Sequence, residues 1–456
     1  MNILNRRSTI FLLIVPCLLL SPGCTTVKPG PDFLRVQELV EQSTGFPDTY
    51  NPEEPMISHD EIIALLADGL SIDEASRIAL LNNRRLQAQF MSIGVAKADW
   101  VQSGLLSNPS LDMLLRFPVD GGRSQIEGLF LQNILELWRI PLRKELAQHK
   151  LDDTVFTIAR IASDLVAETR TTYYQALAAD ELQLLAERNL ENATQGYQAV
   201  RNLREGGVAT IFDENLARGP LLEAQVSLRS RQLEARDARR RIATLLSIDL
   251  DVNTLILLDS LPDPAVPQYD VDSLIEIAMD ARLDLRAYQA AMDAAGVSIN
   301  YESRNALGEL SIGVSVERPP VTGETIVGPA ISATIPIFDQ NQAQIARAEY
   351  QFVQAVKSFE AIQLKVTQDI RSIADHASTV TLTLAFYESE LLPQVEQNLE
   401  MATTAYSSGQ ASLVALLEAQ RTYLEAKTGY IQSRQESAAA MLRLEQAVGK
   451  PLKQIE

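Results

Sequence analysis

The sequence predicts a mainly α-helical protein with a small membrane-type β component: two long coiled-coil helical hairpins, each preceded by a β-hairpin, giving four strands per chain. Three observations carry this. From Gln342 to Ser408 there is no glycine and a single proline, Pro393, while Ala, Gln, Glu, Leu and Val recur with helical spacing. The same plan is written earlier in the chain. Ahead of each helical run, apolar residues alternate with small or polar ones at period two.

At about 1.5 Å rise per residue the run from Gln342 would be about 100 Å long. It turns at Tyr406-Ser407-Ser408-Gly409, glycine being the usual residue past a helix C-terminus. On the returning helix the pairs Leu416/Leu417, Tyr423/Leu424 and Tyr430/Ile431 repeat every seven residues, a coiled-coil seam. The twin run spans Leu142 to Glu205, turns at Gly206-Gly207 and returns from Val208 to Ser247. Ahead of the two hairpins, Asp73-Glu74-Ala75-Ser76-Arg77-Ile78-Ala79-Leu80 aligns with Asp272-Ser273-Leu274-Ile275-Glu276-Ile277-Ala278-Met279. A repeat of this size implies two similar lobes. The first covers residues 71–262, with a β-hairpin at 108–134 and a helical hairpin at 142–248; the second covers 270–451, with corresponding parts at 309–337 and 342–449.

The N-terminus reads as a targeting segment, residues 1–23: Arg6-Arg7, an apolar stretch from Ile10 to Leu20, then Ser21-Pro22-Gly23 before Cys24. Only Cys17 and Cys24 are present, so no disulfide framework is available. A cysteine directly after such a segment resembles the bacterial lipobox, which implies acylation at Cys24. Residues 24–70 read as a lipid-anchored linker, rich in proline from Lys28 to Gly69 and without clear periodicity. Ser71 and Glu74 then form a capping box that opens a helix from Ile72 to Gly104.

The strands follow. Leu111, Met113, Leu115 and Phe117 alternate along the first, Pro118 to Gly122 makes a loop, and Ile126, Gly128 and Phe130 begin the next. In the second repeat Leu310, Ile312, Val314 and Val316 alternate with Ser311, Gly313, Ser315 and Glu317. After a loop from Pro319 to Thr325, Ile331, Ala333, Ile335 and Ile337 alternate again. Four strands cannot close a barrel. Several chains contributing four strands each can, and closure removes the exposed edges.

The lipobox-like Cys24, Gly30-Pro31-Asp32-Phe33 soon after it, the doubled plan, and Ala333-Thr334-Ile335-Pro336-Ile337-Phe338-Asp339 leading into the long helix together resemble the TolC-like outer-membrane factor family. So does Tyr406-Ser407-Ser408-Gly409 with Leu413 to Gln420 after it. The resemblance implies a homotrimer with a 12-stranded barrel in outer-membrane lipid and an α-helical tunnel across the periplasm. Such a duct receives substrate from an inner-membrane transporter through a periplasmic adaptor protein, in a tripartite efflux pump or a type I secretion system, and holds no cofactor.

On that likeness the gate residues are Asp213, Tyr406 and Glu418. A phenol–carboxylate hydrogen bond from Tyr406 to Asp213 is charge-assisted. Three-fold symmetry would turn Glu418 into a carboxylate ring that favours cations and raises its own pKa. A second acidic position of the family is Ala415 here, and a basic tip residue is Ala411; Glu214 and Arg218 are the other candidate tip contacts. The tips Gly207, Val208, Gly409, Ala411, Ser412 and Leu413 are the expected adaptor-docking surface. Gly219-Pro220 is a place for a bend.

A net charge of −19 argues against a nucleic-acid partner. His59, His149 and His376 share no metal-ligand spacing, and no phosphate loop or nucleophile elbow appears, so no enzyme is expected. The reading from a different class is a lipid-anchored structural coiled-coil envelope protein, which would need neither the strands nor the duplication.

Overall fold

The computed structural model describes residues 26–454 apart from 56 and 263–268. The expected targeting segment and Cys24 lie outside the described residues. The chain forms two compact units, and each draws on both sequence repeats: one takes Ser92–Leu151 with Asp293–Phe352, the other Asp32–Met91, Asp152–Met292 and Val353–Glu456. The repeats therefore do not make two separate lobes.

The reason lies in the first unit. Strands β1 (Ser110–Arg116), β2 (Gln125–Asn133), β3 (Leu310–Arg318) and β4 (Ile326–Ala333) form one antiparallel sheet in the order β1-β2-β3-β4. The seam between repeats is the β2–β3 pairing, with Phe130 opposite Val314 and Leu131 opposite Gly313. A Cβ on Gly313 would overlap the Phe130 carbonyl, so this seam requires glycine. The helices entering and leaving the sheet are tied at its base. Arg143 donates from Nε to the Ser103 carbonyl at 2.6 Å, Arg304 to the Trp138 carbonyl at 2.7 Å, and Asn341 to the Glu302 carboxylate at 2.7 Å.

The second unit is helical. The tract from Lys28 to Gly69 is not a plain linker: it holds α1 (Gly30–Thr44) and α2 (His59–Leu66). In α1, Phe33, Val36, Leu39 and Val40 are buried on one face, and Arg35 pairs with Asp152. The expected helix Ile72–Gly104 is broken into α3 (Ile72–Asn82) and α4 (Arg84–Ser103), with Asn83 extended. The Asn82 amide donates to the Leu246 carbonyl at 2.7 Å and that of Asn83 to Leu245 at 2.8 Å. These bonds satisfy orphan carbonyls at the end of the first hairpin's return helix, which outweighs continuing the helix. The second repeat makes the same break at Arg282, between α7 (Val271–Ala281) and α8 (Leu283–Asn305), and Arg282 donates to Ala447 at 2.8 Å.

The first helical hairpin is α5 (Glu136–Glu205) and α6 (Ile211–Leu246); α5 starts ahead of Leu142 and takes Pro141 inside it, and α6 runs through Gly219-Pro220 as one helix. The second is α9 (Gln342–Phe386), a π-turn at Tyr387–Leu391, α10 (Leu392–Ser407) and α11 (Leu413–Val448). The π-turn interrupts the expected unbroken run just before Pro393, which lacks the N–H for an i→i−4 bond and crowds the preceding turn.

Within this unit the seam residues pack as their spacing predicts. Tyr423 and Tyr430 lie against Leu392, Val395 and Ala426, and Leu416 and Ile431 are buried. A larger core gathers Leu274, Ala278, Leu285, Val366, Ile370, Leu444 and Val448. Ion pairs clip helices of one repeat to those of the other: Arg434 to Glu181 at 3.2 Å, Arg170 to Glu445 at 3.3 Å and Arg160 to Asp284 at 2.6 Å.

Candidate functional site: the two-faced sheet and the hairpin tips

The register decides which side chains share a face of the sheet. Leu111 lies opposite Phe130, which lies opposite Val314, which lies opposite Pro329; Leu115 is opposite Ile126, and Ile312 is opposite Ile331. Met113, Gly128, Val316 and Val327 fill the row between. One face is thus apolar across nearly its whole width. It is also bare: Leu111 is 65% exposed, Met113 64% and Ile331 76%. The other face carries Asp112, Glu127, Glu317, Ser315, Ser311 and Ser332, with Leu114, Leu129 and Ile326 interspersed. A soluble sheet buries its apolar face against another layer. An exposed apolar face backed by a mixed polar one is the pattern of a strand set between lipid and a wet lumen. Among the described residues, both outer strands, β1 and β4, leave one edge without a partner strand.

At the far ends of the helical hairpins the same turn is built twice. Gly207 and Gly409 both stand at positive φ, 77° and 74°. In each, the glycine N–H bonds the carbonyl three residues back (Arg204, Tyr406) and the next residue reaches five back (Val208 to Leu203, Gln410 to Ala405). This is the Schellman arrangement, and its left-handed residue favours glycine. Thr210 and Ser412 then cap the outgoing helices, accepting from the N–H groups of Asp213 and Ala415.

That capping accounts for Asp213. Its carboxylate accepts from the Thr210 N–H at 2.9 Å and the Thr210 hydroxyl at 2.7 Å, and these bonds hold its pKa below the ordinary value. The contact within the protomer is therefore a capping box, not a bond to Tyr406. Tyr406 lies at the opposite tip, where its carbonyl receives the Gly409 N–H. Glu214 is the residue that ties the first tip together. It pairs with Arg204 at 2.6 Å and accepts from the Tyr197 hydroxyl at 3.2 Å, joining the two arms of the hairpin.

Glu418 is exposed, and Arg421 holds it at 2.6 Å while also reaching Glu425 at 3.2 Å. The hydrogen bond and charge of Arg421 lower the Glu418 pKa. Within one chain the shift is thus opposite to the upward push expected from a ring of like charges.

Of the expected tip residues, Val208 is 77% exposed, but the larger apolar surface is Ile211, Phe212 and Val414, which the sequence reading left out. The signal was present: apolar residues immediately after an N-cap face neither seam nor core. Among the described residues no cluster of His, Cys, Asp and Glu could hold a metal ion, and no helix is long and apolar enough to cross a membrane.

Comparison with known proteins agrees with this geometry. Residues 274–450 match the sequence model of the outer membrane efflux protein family. The chain is 22% identical over 373 residues to the cobalt-zinc-cadmium resistance protein CzcC of Cupriavidus metallidurans, covering 80% of this chain and 86% of that one. It is 25% identical over 307 residues to the nickel-cobalt-cadmium resistance protein NccC of Alcaligenes xylosoxydans xylosoxydans, covering 63% and 65%. Among solved structures, the outer-membrane channel OprN superposes with a TM-score of 0.70 at 20% identity, over 83% of this chain and 90% of that one. The chain thus resembles outer-membrane efflux proteins in the sequence of residues 274–450 and outer-membrane channels of the OprN type in fold.

Proposed function

We propose that three copies of this chain join their sheets edge to edge into a 12-stranded barrel in the outer membrane. The helical hairpins then form the wall of a duct through which a tripartite pump expels divalent metal cations. The observation that carries the assembly is the exposed apolar face of the sheet, flanked by two unpaired edges. The nine-residue strands β2 and β3, at about 3.4 Å per residue and a tilt of about 40°, rise about 23 Å, close to the apolar band of about 25 Å of such barrels. Closing the edges with other copies satisfies the backbone groups that lipid cannot.

The cation reading draws on the resistance proteins that the chain resembles, on its net charge of −19, and on Glu418, an exposed carboxylate six residues after the Ser412 cap. Cys24 is the proposed lipid attachment after removal of residues 1–23. The tips around Gly207, Val208, Gly409, Ala411, Ser412 and Leu413 are the proposed adaptor-docking surface, to which Ile211, Phe212 and Val414 add apolar area. Asp213, Tyr406 and Glu418 remain the proposed gate, with Tyr406 reaching Asp213 of a neighbouring copy in the closed ring. The two sequence repeats, 71–262 and 270–451, are the proposed duplicated halves of each protomer.

Deleting the gene and measuring growth against zinc, cobalt and cadmium tests the substrate class. Lost tolerance to these ions, restored by the intact gene, is the expected outcome. Unchanged metal tolerance with lost tolerance to organic toxicants would replace the substrate and leave the duct in place.

A further inference from the structure

The chain has two tryptophans, and both lie at the helix-bearing end of the sheet. Trp100 stands three residues before the end of α4, the helix that feeds β1, and Trp138 stands in the first turn of α5, which leaves β2. Trp100 carries two cations over its ring and Trp138 one. Lys97 and Lys144 flank Trp100 with their Nζ atoms 4.5 and 4.3 Å from its centroid, and the Arg304 guanidinium lies 4.9 Å from that of Trp138. Trp138 is 49% exposed, and Lys144 is also exposed. Among the described residues, no aromatic–cation pair is found at the loop end of the sheet.

This placement has a physical reading. Indole rings favour the boundary between hydrocarbon and headgroups, where an apolar body and a polar N–H are both accommodated. Lysine and arginine extend their stems along such rings and hold their charge at the level of lipid phosphates. In a chain with a net charge of −19, three cations gathered on two tryptophans at one end of an apolar sheet are complementary to an anionic surface.

We propose that this collar, Lys97, Trp100, Trp138, Lys144 and Arg304, binds the headgroups of anionic glycerophospholipids in the periplasmic leaflet. The proposal rests on the sheet being embedded in the membrane. The cations select the phosphate-bearing anionic headgroup, the indoles set its depth, and the lipid seals the joint between barrel and helices.

Since both tryptophans lie in the proposed site, their fluorescence reports on it directly. The full-length protein is reconstituted into phosphatidylcholine bilayers containing a minor fraction of lipid brominated on its acyl chains, either phosphatidylglycerol or phosphatidylcholine, and quenching is compared. Each cation near an anionic surface is worth about a fivefold preference at low salt. Brominated phosphatidylglycerol should therefore quench the wild type clearly more than brominated phosphatidylcholine at equal fraction. The preference should shrink in Lys144→Gln and vanish in the Lys97→Gln/Lys144→Gln/Arg304→Gln variant, while quenching by phosphatidylcholine persists. Equal quenching by the two lipids in the wild type overturns the lipid site and leaves the membrane sheet standing. Quenching by neither overturns both.

Discussion

Gly429 stands where a Cβ would overlap the hydroxyl of Tyr387 and come within 3.0 Å of its Cζ. Tyr387 opens the π-turn of the second hairpin, and Gly429 sits on the facing helix α11. Next to them, Tyr430 donates to the Glu388 carboxylate at 2.9 Å. The widened turn before Pro393 is thus matched by a missing side chain opposite, so the irregularity is built by both arms.

Two effects compete in Gly429→Ala. Replacing a mid-helix glycine gains about 1 kcal/mol of helix propensity. Overpacking against a ring costs about 1–3 kcal/mol. The expected outcome is net destabilisation in the wild type and net stabilisation in a Tyr387→Ala background. Thermal unfolding of the four members of this cycle checks the reversal of sign.

The buried Tyr173 hydroxyl donates to the Leu70 carbonyl at 2.6 Å and accepts from the Asp259 N–H at 3.3 Å, and burial raises its pKa. Leu70 also bridges to Leu257, so this phenol pins the entry segment of the first repeat to the segment that leaves it. Tyr173→Phe keeps the ring and removes both bonds. It should cost about 1–3 kcal/mol, because the Asp259 N–H loses its side-chain partner in a dry site and the Leu70 carbonyl is left with the Leu258 N–H alone. Denaturant unfolding measures it.

Asp284 accepts from Arg282 at 2.6 Å and pairs with Arg160 at 2.6 Å. Burial opposes its charged form, but these two arginines prevail and bring its pKa from 3.8 to about 2. A depressed carboxylate pKa contributes stability above the unfolded value and loses it as pH falls through the folded one. The wild type should therefore lose stability between pH 3.8 and about 2 through this group, by about 2 kcal/mol in total. In Asp284→Asn that component of the acid slope should be absent, and unfolding followed across this range decides it.

On the sheet, position rather than residue type should decide tolerance. Met113→Lys lies in the apolar face and should cost about 2–4 kcal/mol at mid-bilayer. Ser315→Lys, on the opposite face, should leave the oligomer intact. Heat-resistant oligomer on unboiled gels measures both; equal loss would contradict the assignment of faces.

Local pattern carried much of the fold. Period-two alternation marks β1, β2 and β3, whereas the run from Ile331 to Ile337 overshoots β4, which spans Ile326–Ala333; Gly207 and Gly409 mark both tips, because Schellman turns depend on neighbours in sequence. The breaks at Asn83 and Arg282 were not legible: neither residue stops a helix by itself, and each is extended because its side chain reaches a carbonyl more than 160 residues away. Helix α1 was obscured by the prolines in and around it, Pro29, Pro31 and Pro47, although Phe33, Val36 and Val40 already have helical spacing. At the tips, Glu214 was weighed only as a substitute contact, and its pairing with Arg204 across the turn depends on how the arms pack. Asp213 and Glu418 were legible as charges, but their partners Thr210 and Arg421 lie on the same helix ends and take up those charges first.

Conductance of the purified, full-length protein in planar bilayers tests the central claim most directly. The duct account predicts cation-selective openings, with selectivity reduced in Glu418→Ala and conductance increased in Asp213→Ala. Absence of both conductance and a heat-resistant oligomer would contradict it, and would favour an envelope scaffold without a pore.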